Sequence, residues 1–91
     1  MKKINTSAMR ELICKEGYKD IKYVCDKPDA DYGLHSHPKD TKYVILEGGL
    51  QVTTDGDTVT YKTGDSFKIK AEKEHRSLSL ENGCCYFVGE K

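Results

Sequence analysis

The chain has 91 residues, with fifteen basic and fifteen acidic side chains and a formal net charge of zero. That length suits one domain, 1–91, whose core is modest because a chain of this size hides only about 60–70% of its unfolded surface. No charge block is long enough to grip a polyanion, which argues against nucleic acid. The longest compact apolar run, Tyr43 to Leu46, is far too short to cross a bilayer and no apolar stretch follows the Lys2-Lys3 step, so the expectation is a soluble cytoplasmic protein without a membrane partner.

Strand and turn signals dominate. Ala8 to Cys14 suits a short helix or an edge strand, and Ile21 to Cys25 reads as the first clear strand before Lys27-Pro28-Asp29 breaks it. Gly33 to His37 is the next short strand, stopped by Pro38, and Thr41 to Leu46 is the most β-prone run, turned by Gly48-Gly49. Leu50 to Thr54 and Thr58 to Tyr61 flank Asp55-Gly56-Asp57, a hairpin signal because a primed turn needs positive φ. Gly64-Asp65 turns again, and Ser66 to Lys70, His75 to Leu80 and Cys84 to Val88 follow as strands. Short strands at regular spacing with glycine turns predict an all-β sandwich or barrel, with Val44, Leu46, Val52 and Phe67 in its core.

The four cysteines fit neither a zinc ribbon nor a Cys-x-x-Cys pattern, and in a reducing compartment they read as free, small buried hydrophobes. Cys84 and Cys85 are neighbours, so on a strand they face opposite ways. Whichever faces the interior is the best candidate for a redox-active thiol.

The three histidines carry the chemistry. On a strand, the side chains of His35 and His37 would share one face, because the period is two and the rise is about 3.3 Å per residue. An isolated His-x-His reads equally well as a polar surface pair. His75, far along the sequence, joins the pair only if the chain folds back on itself, as a closed barrel does.

The stretch from Gly33 to Arg76 resembles the two-motif core of a cupin. The first motif, His-x-His followed by a Glu and a closing Gly, is met by His35, His37 and Gly48 (core motif 33–48), with Thr41 where the Glu belongs. The second opens on Gly64-Asp65 and ends on His75 (core motif 64–76), with Lys70 and Glu72 in place of its Pro and Gly, so the turn before His75 is less rigidly specified. The resemblance implies an all-β cupin double-stranded β-helix, a jelly-roll barrel, in which His35, His37 and His75 hold a divalent transition metal such as Fe, Mn, Ni or Zn.

Thr41 removes the usual carboxylate ligand, since a neutral hydroxyl binds a divalent cation poorly, and is left as a pocket-lining candidate. Asp40 reaches its place only through a bulge. Three neutral imidazoles leave coordination positions open and favour anionic chelating ligands. The pattern resembles that of thiol dioxygenases and diketone-cleaving cupins, which implies iron-dependent oxygenation of a small chelating substrate; the alternative is a non-catalytic metal-binding or ligand-sensing module. Arg76, next to an inward His75, is expected to point to solvent. Tyr23, Tyr32, Tyr43, Tyr61 and Tyr86 read as core or interface aromatics, any inward one being able to donate a hydrogen bond to a ligand. Because Tyr43 and Ile45 face one side of their strand and Val44 and Leu46 the other, a symmetric homodimer is expected to cover the outer face, as in small cupins that the chain resembles.

Overall fold

The computed structural model describes residues 6–91, so the Lys2-Lys3 step lies outside the described residues. The elements are α1 (Thr6–Lys15), β1 (Lys19–Asp26), β2 (Asp31–His35), β3 (Thr41–Thr54), β4 (Asp57–Lys62), β5 (Ser66–Ile69) and β6 (His75–Glu90). Every strand pairing is antiparallel, and β1, β6, β3 and β4 are bonded in that order, with β2 added to β6 and β5 to β3. Among the described residues, no helix is long and apolar enough to cross a membrane.

The barrel is made by bending two long strands together. The first part of β3 pairs with β5 and with the end of β6, from Thr41↔Glu90 to Gly48↔Cys84. Its second part pairs with β4 and with the start of β6, from Leu50↔Ser79 to Thr53↔Arg76. The end of β6 also carries β1, and its start carries β2, so each half of the ladder lies at the centre of a four-stranded layer. The layers face each other, since Tyr43, Ile45, Phe67, Ile69 and Tyr86 of one pack in a single core with Leu50 and Val52 of the other.

The bend needs glycine. Gly48 has φ +81° and Gly83 opposite it φ +75°, in the left-handed region that a side chain disfavours. A Cβ built on Gly48 would run into the backbone carbonyl of Gly83, so the strands meet there without side chains between them. The sequence pattern placed reversals at Gly48-Gly49 and around Gly83, giving eight strands, whereas the chain bends at both sites and continues in one direction, giving six. Local composition marks both events alike; only the partner ladder, which here continues past the bend, tells them apart.

The outer face of β3 is covered from within. Val44 packs with Ile13 of α1, Tyr18 and Phe87, and Leu46, expected in the core, is half-buried against this second cluster. The helix presses onto β6 where Gly89 leaves room, a Cβ there meeting Ile13 and Tyr18 at 3.1 Å. Burying Ile13 contributes roughly 1.5–3 kcal/mol. The helix thus covers, within one chain, apolar residues of the face on which a homodimer was expected.

The reading of the cysteines as free is corrected for two of them. Cys25 on β1 and Cys85 on β6 are register partners, with Cα atoms 4.0 Å apart, and form a disulfide. The sequence hid this because their separation of 60 residues is closed only by the β1/β6 ladder. Cys14 is exposed and free, and Cys84 is buried and free.

Two tests follow from this geometry. Gly48→Ala should cost well over the roughly 1–2 kcal/mol of a left-handed alanine, because of the Gly83 carbonyl, whereas Gly56→Ala, with the same φ of +81° and open space around it, should cost only that amount. Urea unfolding of the two variants reads the difference, and equal losses would contradict the close approach. Alkylation of the oxidised protein in denaturant should label two thiols, Cys14 and Cys84, rising to four after reduction, as mass spectrometry would count.

Candidate metal centre

His35 is the last residue of β2 and His75 the first of β6, and the two are direct register partners. Their rings lie 4.2 Å apart between centroids. His37 has left the strand, contrary to the expectation that it would share a strand face with His35, yet its ring stands 5.0 Å from His35 and 5.1 Å from His75. The loop before His75 holds it there: the Glu72 amide donates to the His37 carbonyl at 2.7 Å, and the Ala71 amide to Asp40 Oδ1 at 2.8 Å. Glu72, where a glycine was expected, takes φ +64° to make that bond.

The potential ligand atoms of the three histidines all lie within 4.8 Å of one another. Two rings are oriented by backbone. His35 Nδ1 bonds the Gly33 carbonyl at 2.6 Å and His75 Nδ1 the Lys73 carbonyl at 3.1 Å, so each Nδ1 carries the proton and each Nε2 presents its lone pair. His75 is 1% exposed, and its Nε2 has no hydrogen-bond partner among the described residues. Leaving such an atom unmet costs about 1–3 kcal/mol, which a cation at the centre of the cluster would remove. Three imidazoles suit Zn, Fe, Ni or Cu and present no charge of their own. Burial holds the pKa of both His37 and His75 below the ordinary histidine value; the neighbouring histidines add to this, while the Lys73 carbonyl opposes it at His75.

The cluster opens on a cavity of about 270 Å³, lined among others by His35, His37, Thr41, Tyr32, Tyr43 and Tyr86. Asp20, Lys22 and Glu90 also border it, two carboxylates to one ammonium. Thr41 is buried and its hydroxyl donates to the Lys39 carbonyl at 3.1 Å. The Asp40 carboxylate is turned to Ala71 and stands outside the histidine group, so no bulge brings it to the metal position. Arg76 points outward and makes a two-pronged pair with Asp31, at 3.2 and 2.6 Å.

Three tyrosines reach the cavity. Tyr43 is stacked on Phe67 at 4.7 Å, and burial pushes its pKa up to about 12. Its hydroxyl is 3.4 Å from His37 Nε2. Tyr32 and Tyr86 both donate to the buried Asp26, at 2.6 and 2.9 Å. The bond to Asp26 is the main cause raising the pKa of Tyr32, and burial the main cause for Tyr86. The sequence reading missed Asp26. The signal was there in strand parity, since Lys22, Val24 and Asp26 share the inward face of β1. Of the vicinal cysteines, Cys84 faces the interior, where burial pushes its pKa up to about 11, so it is held as a thiol.

No curated protein matches the sequence. Solved structures do, among them a protein of unknown function from Rhizobium leguminosarum (27% identical, covering 77% of this chain and 66% of that one, TM-score 0.72). A conserved protein of unknown function from Streptococcus pyogenes is 25% identical, over 78% of this chain and 62% of that one, with TM-score 0.69. A cupin-2 domain containing protein from Shewanella frigidimarina is 21% identical, over 96% and 92%, with TM-score 0.72. The chain spans less than two thirds of the length of the first two. The model of the cupin domain family matches residues 22–88, which take in both layers of the barrel and all three histidines, and on that match the chain belongs to the cupin family.

Proposed function

We propose that this cupin binds one divalent transition metal through His35, His37 and His75 and accepts a small chelating anion in the cavity beside it. The observation that carries this reading is the buried, partnerless Nε2 of His75, converging with two further imidazoles. A bound divalent cation supplies Lewis acidity and open positions for an anionic ligand. The protein's part is to keep its ligands neutral and in place: carbonyls of Gly33 and Lys73 fix two tautomers, and the Glu72 amide fixes the loop of the third.

Iron-dependent oxygenation of a small chelating substrate is the reaction that this reading puts first. A non-catalytic binding module is the second reading, favoured by one observation: among the described residues the group that could hold a metal is made of the three histidines alone, with no carboxylate in it to serve as a base. Oxygen uptake by ferrous-loaded protein, screened against thiols, diketones and small hydroxy and keto acids, separates the two. No metal-dependent uptake leaves the binding module.

Metal analysis of protein purified without chelator should give one ion per chain. His75→Ala should weaken binding by about a hundredfold or more, since even outer partners of a ligand are worth about 10–100-fold. Full metal content in His75→Ala would overturn the assignment.

Acid should act on the metal-free fold in a defined direction. His37 and His75 have lowered pKa values in the folded chain, so between those values and the unfolded histidine value of about 6.5 the unfolded chain binds more protons. Their contribution is therefore complete above about pH 6.5 and is lost as the pH falls through the range below. The urea midpoint should hold level from about pH 8 to 6.5 and then decline. A His37→Gln/His75→Gln variant should show a shallower decline, and a wild-type midpoint that climbs on acidification would refute the assignment.

A further inference from the structure

The cavity holds three phenols, and their protons are not equally available. Tyr32 and Tyr86 both donate to the carboxylate of Asp26, which is itself buried. Tyr43 has no carboxylate within hydrogen-bond distance; among the described residues its hydroxyl meets only the ring nitrogen of His37, at 3.4 Å. In the tautomer that a cation needs, with the proton on Nδ1, that nitrogen has one lone pair. It can accept from Tyr43 or bind a cation, and cannot do both at once. Nor can Tyr43 swing away to another partner. The residue is 8% exposed, and its ring is stacked on Phe67 at an interplanar angle of 5° and set against Tyr86 at 5.6 Å.

We infer that Tyr43 orients the ligand of this site: when a divalent cation takes the His37 Nε2 lone pair, the Tyr43 hydroxyl is released from that nitrogen and donates its proton to an oxygen of an anion held on the cation. This rests on the metal-binding reading above. It names the ligand class more closely, as a small oxygen chelator with an acceptor oxygen beyond its metal-binding atoms on the Tyr43 side. It also gives the cavity an order of events, in which metal comes first and the donor becomes free second. Tyr32 and Tyr86 keep their protons on Asp26 throughout.

The test uses cobalt(II) as the metal and oxalate as the anion, each titrated by the visible spectrum of the cobalt centre. Tyr43→Phe keeps the ring that stacks on Phe67 and removes only the hydroxyl. Cobalt affinity should be unchanged or a few-fold tighter, because a competitor for the nitrogen is gone. Oxalate affinity should fall by roughly tenfold to a hundredfold, the value of one hydrogen bond to a charged acceptor. Unchanged oxalate affinity would overturn the inference, and so would a tenfold or greater loss of cobalt affinity, which would make Tyr43 a support for His37 instead. Wild-type protein that binds no cobalt would sink the metal-binding reading itself and this inference with it. Should Tyr43→Phe not fold, zinc-loaded wild type labelled with ring-¹³C tyrosine gives the same answer. The Tyr43 signal should shift on zinc and again on oxalate while those of Tyr32 and Tyr86 stay put, and a Tyr43 signal indifferent to oxalate refutes the inference.

Discussion

Strands β3 and β6 remain paired on both sides of a shared bend, from Thr41↔Glu90 to Thr53↔Arg76, and the placement of every other strand follows from that ladder. Among the described residues, β1 and β2 have no strand partners except the two ends of β6, and β4 and β5 none except the two ends of β3. The ladder folds into two facing layers only because Gly48 lets the strands touch backbone to backbone at Gly83. The layers then enclose Tyr43, Ile45, Leu50 and Phe67. The same ladder sets His75 opposite His35, since β2 pairs with the first residues of β6. The candidate site is therefore a product of strand register more than of local sequence around any histidine.

Polar groups in the barrel fall into two sets with different tasks. Backbone carbonyls and amides at the histidine end orient rings: Gly33 of β2 and Lys73 of the loop before β6 accept from Nδ1 atoms, and Glu72 donates to the loop of His37. At the end of β1, Asp26 gathers two phenol protons from β2 and β6 and so links three strands through one carboxylate. Below the bend, the Ser79 hydroxyl donates to the Lys27 carbonyl and accepts from the Ala30 amide, closing the loop between β1 and β2. Among the described residues, His75 Nε2 is the buried side-chain nitrogen or oxygen left without a hydrogen-bond partner, against a background of satisfied polar groups.

Much of this was legible in the sequence because spacing and side-chain type agreed. The alternation of Tyr43 and Ile45 against Val44 and Leu46, the Asp55-Gly56 hairpin, and the distances between the histidines and their flanking glycines all pointed to the barrel that is found. What could not be read locally depends on partners distant in sequence. Bend and reversal look alike at Gly48, Cys25 carries no mark of Cys85, and nothing near Ala8 to Cys14 says that Ile13 will settle on Gly89. At His37 the strand expectation failed because Pro38 and the bond from Glu72 draw the chain out of the sheet, although the ring still turns to the same centre.

The long ladder also sets the order in which the molecule can assemble. Its strands lie far apart in sequence, so their meeting must overcome loop-closure entropy before any contact rewards it, and such non-local pairing is slow. The histidines stand at the outer end of that ladder, His35 at the end of a five-residue strand, His37 in the loop after it and His75 at the start of β6. They come together through the pairing of β2 with β6 and the bond from the Glu72 amide to the His37 carbonyl. The unfolded chain therefore holds no ready-made cluster of the three rings, and local opening of the short β2 with its loop would disperse them while the β3/β6 ladder stays paired.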